Sequence, residues 1–188
     1  MIRLLDIFFS IILIFLSIPL LFLIYLLHII YIKNSFFFIQ ERLGMNKKIF
    51  KIIKLRTMKT NTVNTATHNL DKTSFTQIGS FLRNTKIDEL PQLYNVLKGD
   101  MSFVGPRPCL PNQLELIHQR NKFELFKYKP GITGLSQINK IDMSDPIKLS
   151  MHDAKMYEKF NLFYYLKYII LTFLGRGIGD RIKNSNIK

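Results

Sequence analysis

The chain has 188 residues, 47% of them hydrophobic and 21% charged, with a formal net charge of +14. That apolar share excludes an intrinsically disordered protein. A single cysteine, Cys109, excludes a disulfide framework and a cysteine-built zinc site. The positive balance calls for an anionic partner: nucleic acid, anionic lipid or a phosphorylated substrate.

Residues 1–32 carry one base, Arg3, and one acid, Asp6, so the whole net charge lies in residues 33–188. No Lys, Arg, Asp or Glu occurs from Ile7 to Ile32. That run can cross a hydrocarbon core of about 30 Å at about 1.5 Å per residue. It is too long for a signal peptide, and no small-residue cleavage site follows it. Pro19 stands near its middle, two residues after Ser17. A proline there removes a helix hydrogen bond and predicts a kink. A straight span and a helix that dips in and returns both fit this pattern. The Lys and Arg excess after residue 33 places the main domain on the cytoplasmic side. Asp6 is expected at the interface, paired with Arg3. The expected division is therefore a hydrophobic segment 1–32 and a domain 33–188.

Phe36–Gln40 and Ile49–Leu55 read as short extended segments around a turn at Gly44-Met45-Asn46. In an extended segment Lys54 and Arg56 point to one face, where they can hold a diphosphate or simply be solvated. Residues 59–76, rich in Thr, Asn and Lys, read as a mobile loop. Helices are predicted over Ile78–Arg83, Glu89–Leu97 and Gln113–Lys127. Gly105–Pro111, with three prolines, reads as an extended loop, and Lys129–Gly134 as a turn. Phe160–Leu174 is amphipathic and too short to span, so it is either interfacial or an ordinary core helix. The domain is then α+β and mostly helical.

Chemistry concentrates between Lys54 and Gly134. Thr85 and Asp88 have capping-box spacing, but Pro91 then falls six residues inside the helix. With Ile87 as N-cap, Pro91 falls at N4, and Asp88 and Glu89 fall in the first turn. The helix dipole favours their ionised forms there. Such a pair can supply a nucleophile or a metal ligand, or can merely begin a helix well. In Gly105-Pro106-Arg107-Pro108 the prolines restrain Arg107, which suits bidentate phosphate recognition; the plain alternative is a solvated loop. His28, His68, His118 and His152 show no ligand spacing. No nucleotide-binding glycine pattern is present, and no nucleic-acid motif accompanies the charge. Nucleic acid is therefore not an expected partner.

Leu97-Lys98-Gly99-Asp100-Met101-Ser102-Phe103-Val104-Gly105-Pro106-Arg107-Pro108 resembles the signature of the bacterial sugar transferase family, the monotopic phosphoglycosyl transferases. Asp88-Glu89-Leu90-Pro91-Gln92-Leu93 resembles the family's catalytic segment, and Lys129 through Ile138 its later turn. Gln40 through Gly44 and Lys54 through Met58 resemble its early strands, all in family order. The chain departs at Ser17-Ile18-Pro19, where the family often has Ser and Pro adjacent, and at Tyr165, where many members carry an acid.

The resemblance implies transfer of a sugar 1-phosphate from a UDP-sugar to undecaprenyl phosphate, releasing UMP, on the cytoplasmic face of the bacterial inner membrane. This would begin O-antigen, capsule, exopolysaccharide or glycoprotein glycan assembly. It implies a re-entrant N-terminal membrane helix broken near Ser17 and Pro19, and interfacial amphipathic helices on a small cytoplasmic catalytic domain. Asp88 would be the nucleophile that carries the phosphosugar, and Glu89 would help to bind Mg²⁺. Lys54, Arg56, Arg83 and Arg107 are candidates for the remaining phosphate charge, with Asp153 a further substrate-site candidate. The small size leans toward an N-acetylated amino sugar. A membrane-anchored basic adaptor without catalysis is the alternative, but it would need no acidic pair beside a proline-fixed arginine.

Overall fold

The computed structural model describes residues 1–31, 35–58 and 76–177. The expected loop over 59–76 lies almost wholly outside them. One helix, α1, runs from Ile2 to Tyr31 with Pro19 inside it. By length and composition it can cross a membrane. Its buried positions, Asp6, Ser10, Ser17, Ile24 and His28, fall at spacings of four and seven and so share one face. That mainly polar stripe faces the rest of the protein. Phe8, Phe15, Leu16 and Phe22 are exposed on the other faces.

Strands β1 (Phe37–Leu43) and β2 (Ile49–Leu55) form an antiparallel hairpin, with Phe38 opposite Lys54. Alternation along β2 buries Phe50 and Ile52, and Leu55 at its end is buried in a second cluster. Helices α2 (Gln77–Asn84) and α3 (Gln92–Lys98) follow, with a 3₁₀ turn at Ile87–Glu89 between them. Next come β3 (Ser102–Val104), α4 (Leu114–Lys122), β4 (Gly131–Thr133), α5 (Leu135–Ile138), α6 (Pro146–Glu158) and α7 (Leu162–Phe173). The molecule is mostly helical α+β. Residues Gly131–Thr133, expected as a turn, pair in parallel with β3 instead.

The main core gathers Phe50 and Ile52 of β2, Leu93 and Val96 of α3, and Phe103 and Val104 of β3. Met156 of α6 and Tyr165 and Tyr168 of α7 complete it. Ile2, Leu5, Phe9 and Leu13 of α1 pack on that core, while Ile24 packs with Leu55 and Leu82 in a second cluster. Both halves of α1 therefore rest on the same domain. Helix α7 buries Tyr165 and Tyr168 in the core and leaves Phe163, Ile170 and Phe173 exposed.

Asp6 corrects an expectation. It is 2% exposed and does not pair with Arg3. Its Oδ1 accepts from Tyr165 Oη at 2.8 Å, and from Ser102 Oγ and the Phe103 amide at 3.0 Å. Arg3 instead donates to the Val96 and Leu97 carbonyls in the last turn of α3. A cation is favoured at that end of a helix.

Candidate active site

The acidic pair sits on the 3₁₀ turn, not in the first turn of a regular helix. The amides of Glu89 and Leu90 donate to the carbonyls of Lys86 and Ile87, and α3 begins only at Gln92 with Pro91 as its N-cap. Proline has no N–H and crowds the preceding turn, and here the chain divides at Pro91 into the 3₁₀ turn and α3. Lys86 precedes the turn with φ of 59° in the left-handed region, a costly conformation for a lysine.

Asp88 is 5% exposed and Glu89 7%. Lys54 Nζ and Arg107 Nη2 each lie 2.8 Å from Glu89 Oε1. Burial acts to raise the Glu89 pKa. Arg107 and then Lys54 outweigh it, helped by Lys86, and hold the carboxyl well below its usual range. The ionised state of Glu89 thus rests on these cations, which overcome its burial.

Lys54 reaches Glu89 because α3 is fastened to β2. Asn95, fully buried on α3, accepts from the Ile53 amide at 3.1 Å and donates to the Lys51 carbonyl at 2.8 Å. Its side chain imitates a neighbouring strand along that edge.

Arg107 is positioned by its loop. Five successive carbonyls from Gly105 to Cys109 accept hydrogen bonds. Their donors are Gln137 Nε2, the Gly131 amide, Arg120 Nη1, Arg42 Nη1 and the Leu43 amide. Gly105 and Gly131 pack backbone on backbone: a Cβ on Gly131 would stand 2.0 Å from the Gly105 nitrogen.

The other expected residues are placed differently. Arg56 lies just past the end of β2, where its Nε donates to the Ser35 carbonyl at 3.0 Å and hydroxyl at 3.1 Å. It does not join Lys54 at Glu89. Arg83 is buried in the last turn of α2, which packs against the 87–89 turn. Asp153, at 1% exposure, lies inside the protein; it accepts from Arg120 at 3.1 Å and Ser136 at 2.7 Å. Arg120 in turn donates to the Arg107 carbonyl at 2.8 Å and so links Asp153 to the Arg107 loop. Ser17 donates to the Ile14 carbonyl within α1 at 2.8 Å, and the helix passes Pro19 without ending.

A cleft of about 410 Å³ opens beside the acidic turn. Leu13, Leu16 and Leu20 of α1, Leu90, Leu93, Phe103, Ile169 and Phe173 give it apolar walls. Lys86 and Glu89 stand at its polar edge. A buried acid beside paired cations, at the mouth of an apolar cleft, suits a phosphorylated amphiphile. Mg²⁺ commonly takes one or two carboxylates and completes its shell with phosphates and water; on this turn Glu89, beside Asp88, is the candidate ligand. No group of three or more His, Cys, Asp or Glu side chains suited to a metal exists among the described residues.

Sequence reasoning missed the roles of Lys86, Arg42, Arg120 and Asn95. Arg42 lies within the Gln40–Gly44 motif and the others outside the motifs, and no local pattern records the contacts they make.

The bacterial sugar transferase profile matches residues 1–176. Galactosyl transferase CpsE of Streptococcus agalactiae is 39% identical over 152 residues, covering 72% of this chain and 33% of CpsE. Uncharacterized sugar transferase EpsL of Bacillus subtilis is 36% identical over 155 residues, covering 82% of this chain and 76% of EpsL. The UDP-glucose:undecaprenyl-phosphate glucose-1-phosphate transferase of Escherichia coli is 36% identical over 146 residues, 72% of this chain and 31% of that protein. The chain thus spans about a third of CpsE and of the Escherichia coli protein. With the profile covering nearly its whole length, the chain belongs to the bacterial sugar transferase family.

Proposed function

We propose that this protein is a phosphoglycosyl transferase that moves a sugar 1-phosphate from a UDP-sugar to undecaprenyl phosphate and releases UMP. The observation that carries this reading is Glu89, clasped by Lys54 and Arg107 next to Asp88, at the edge of an apolar cleft. A carboxylate oxygen of Asp88 attacks the sugar-bearing phosphorus. The bond from that phosphorus to the bridging oxygen breaks, and UMP leaves with the electron pair. An oxygen of undecaprenyl phosphate then attacks the same phosphorus and frees the Asp88 carboxylate. Such transfer depends on placement and charge neutralisation more than on proton movement. Arg107 and Lys54 supply positive charge where the diphosphate would lie, and Lys86 adds to it. Mg²⁺ held in part by Glu89 would supply further neutralisation of the phosphates. The prenyl chain nearest the phosphate occupies the cleft between α1 and α7.

Helix α1 lies in one leaflet, with the domain on the cytoplasmic face. A spanning helix would carry one half away from its domain, whereas both halves of α1 rest on it. The outward faces of α1 and α7 meet lipid.

CpsE and the Escherichia coli relative are named for galactose and glucose. They lend no support to the lean toward an N-acetylated amino sugar. The test is UMP release by the purified protein across a panel of UDP-sugars, with and without undecaprenyl phosphate. Acceptor-dependent UMP release with one of them is expected; none with any would defeat the reading.

A further inference from the structure

Near the start of α1, the partly buried Ile2, Leu5, Phe9 and Leu13 pack on the core beside the buried Asp6 and Ser10. An aliphatic side chain at position 6 would seat this helix without burying a charge. A buried carboxylate is costly unless its oxygens are matched by donors. Asp6 is so matched, by three donors on one oxygen. Two of them, Ser102 and Phe103, belong to β3, which runs directly into the Gly105–Arg107 loop. The third is Tyr165 of α7. One turn earlier, Arg3 holds the last carbonyls of α3, the helix that follows the Asp88-Glu89 turn. A single turn of α1 therefore grips both chain segments that lead to the Glu89–Arg107 contact. Apolar packing is non-directional and tolerates sliding. Hydrogen bonds from the Phe103 amide and Ser102 hydroxyl fix β3 at one position along α1.

We propose that Asp6 is a positioning residue: its contacts to Ser102, Phe103 and Tyr165 make the seating of α1 set the placement of Arg107 against Glu89. Without this latch the protein still folds and keeps its long apolar helix. The loop that carries Arg107 then loosens, and phosphoryl transfer slows. The kinetic consequence rests on the transferase reading; the structural one does not.

Two measurements on the full chain in lipid nanodiscs test this. The first is amide hydrogen exchange of wild type, Asp6→Asn and Tyr165→Phe. Faster exchange confined to residues 102–107 is expected, with β1 and β2 unchanged. Equal acceleration everywhere, or none at 102–107, would overturn the latch. The second is a double-mutant cycle on the rate of UMP release. Asp6→Asn should lower kcat/KM about tenfold in the wild-type background but less than about twofold beside Arg107→Ala, because residues that act as a unit are non-additive. Fully additive costs would overturn the proposal. Tyr165→Phe removes one donor and leaves the carboxylate, so it should show the same pattern at smaller size; it carries the cycle if Asp6→Asn fails to fold. If wild type releases no UMP, the transferase reading falls, and the exchange measurement alone decides the latch.

Discussion

Arg107 Nη2 stands 2.8 Å from Glu89 Oε1, the oxygen that Lys54 also contacts. The two cations come from distant parts of the sequence and converge on one buried carboxylate. Each is supported from behind, Lys54 by the Asn95 clamp on β2 and Arg107 by the chain of hydrogen-bonded carbonyls in its loop.

Arg107→Ala should therefore lower kcat/KM for the UDP-sugar by at least about 2 kcal/mol, as loss of a charged donor in a preorganised site commonly does. Steady-state UMP release by the folded variant checks this. An unchanged kcat/KM would remove Arg107 from the chemistry.

Glu89 also predicts a pH dependence. Its folded-state pKa lies below the unfolded one, so its ionic contribution to stability is present at neutral pH. It begins to fade as pH falls past the unfolded value of about 4.3 and is lost at the lower folded pKa. The stability gap between wild type and Glu89→Gln should be level above about pH 5 and shrink below about pH 4. Chemical denaturation in detergent across that range measures it. A gap that instead shrinks between pH 6 and 8 would contradict a depressed pKa.

The cleft between α1 and α7 gives a third expectation. Ile169→Trp adds bulk to its wall. The KM for undecaprenyl phosphate should rise about tenfold or more, because overpacking a formed pocket costs about 1–3 kcal/mol. UMP release in a single turnover without acceptor should not change. Equal effects on both substrates would show that the cleft does not hold the acceptor.

The placement of α1 is open to direct labelling. A cysteine at Ile2, with Cys109 replaced by serine, should resist a membrane-impermeant thiol reagent in intact cells. Labelling from outside would show a spanning helix and refute the one-leaflet arrangement. It would leave the catalytic roles untouched.

Where local chemistry decides the outcome, the sequence was legible. The extended segment read over Ile49–Leu55 has the bounds of β2, and the prolines around Arg107 correctly marked an extended loop. The acidic pair was read into the first turn of a helix capped by Ile87, but it lies on a separate 3₁₀ turn, because Pro91 is itself the N-cap of α3. Arg56 does not share the face of Lys54 as the extended reading expected, because the strand ends at Leu55 and alternation no longer fixes where the next side chain points. Strands β3 and β4 have three residues each and pair across a long stretch of chain, which no local pattern records. Helix α6 carried a start signal that went unused, Asp145 before Pro146, with Asp145 capping the Lys148 amide. Asp6 was conspicuous as a lone acid on an apolar helix. Its partners lie 96, 97 and 159 residues away, beyond the reach of pattern reading.

The central claim is that Asp88 carries the phosphosugar between donor and acceptor. Intact-protein mass spectrometry tests it most directly, with the protein incubated with its UDP-sugar and no undecaprenyl phosphate. Wild type should gain the mass of one sugar phosphate and lose it when undecaprenyl phosphate is added. Asp88→Asn should gain nothing and show no turnover. An adduct on Asp88→Asn, or a tenth of wild-type activity in that variant, would contradict the account.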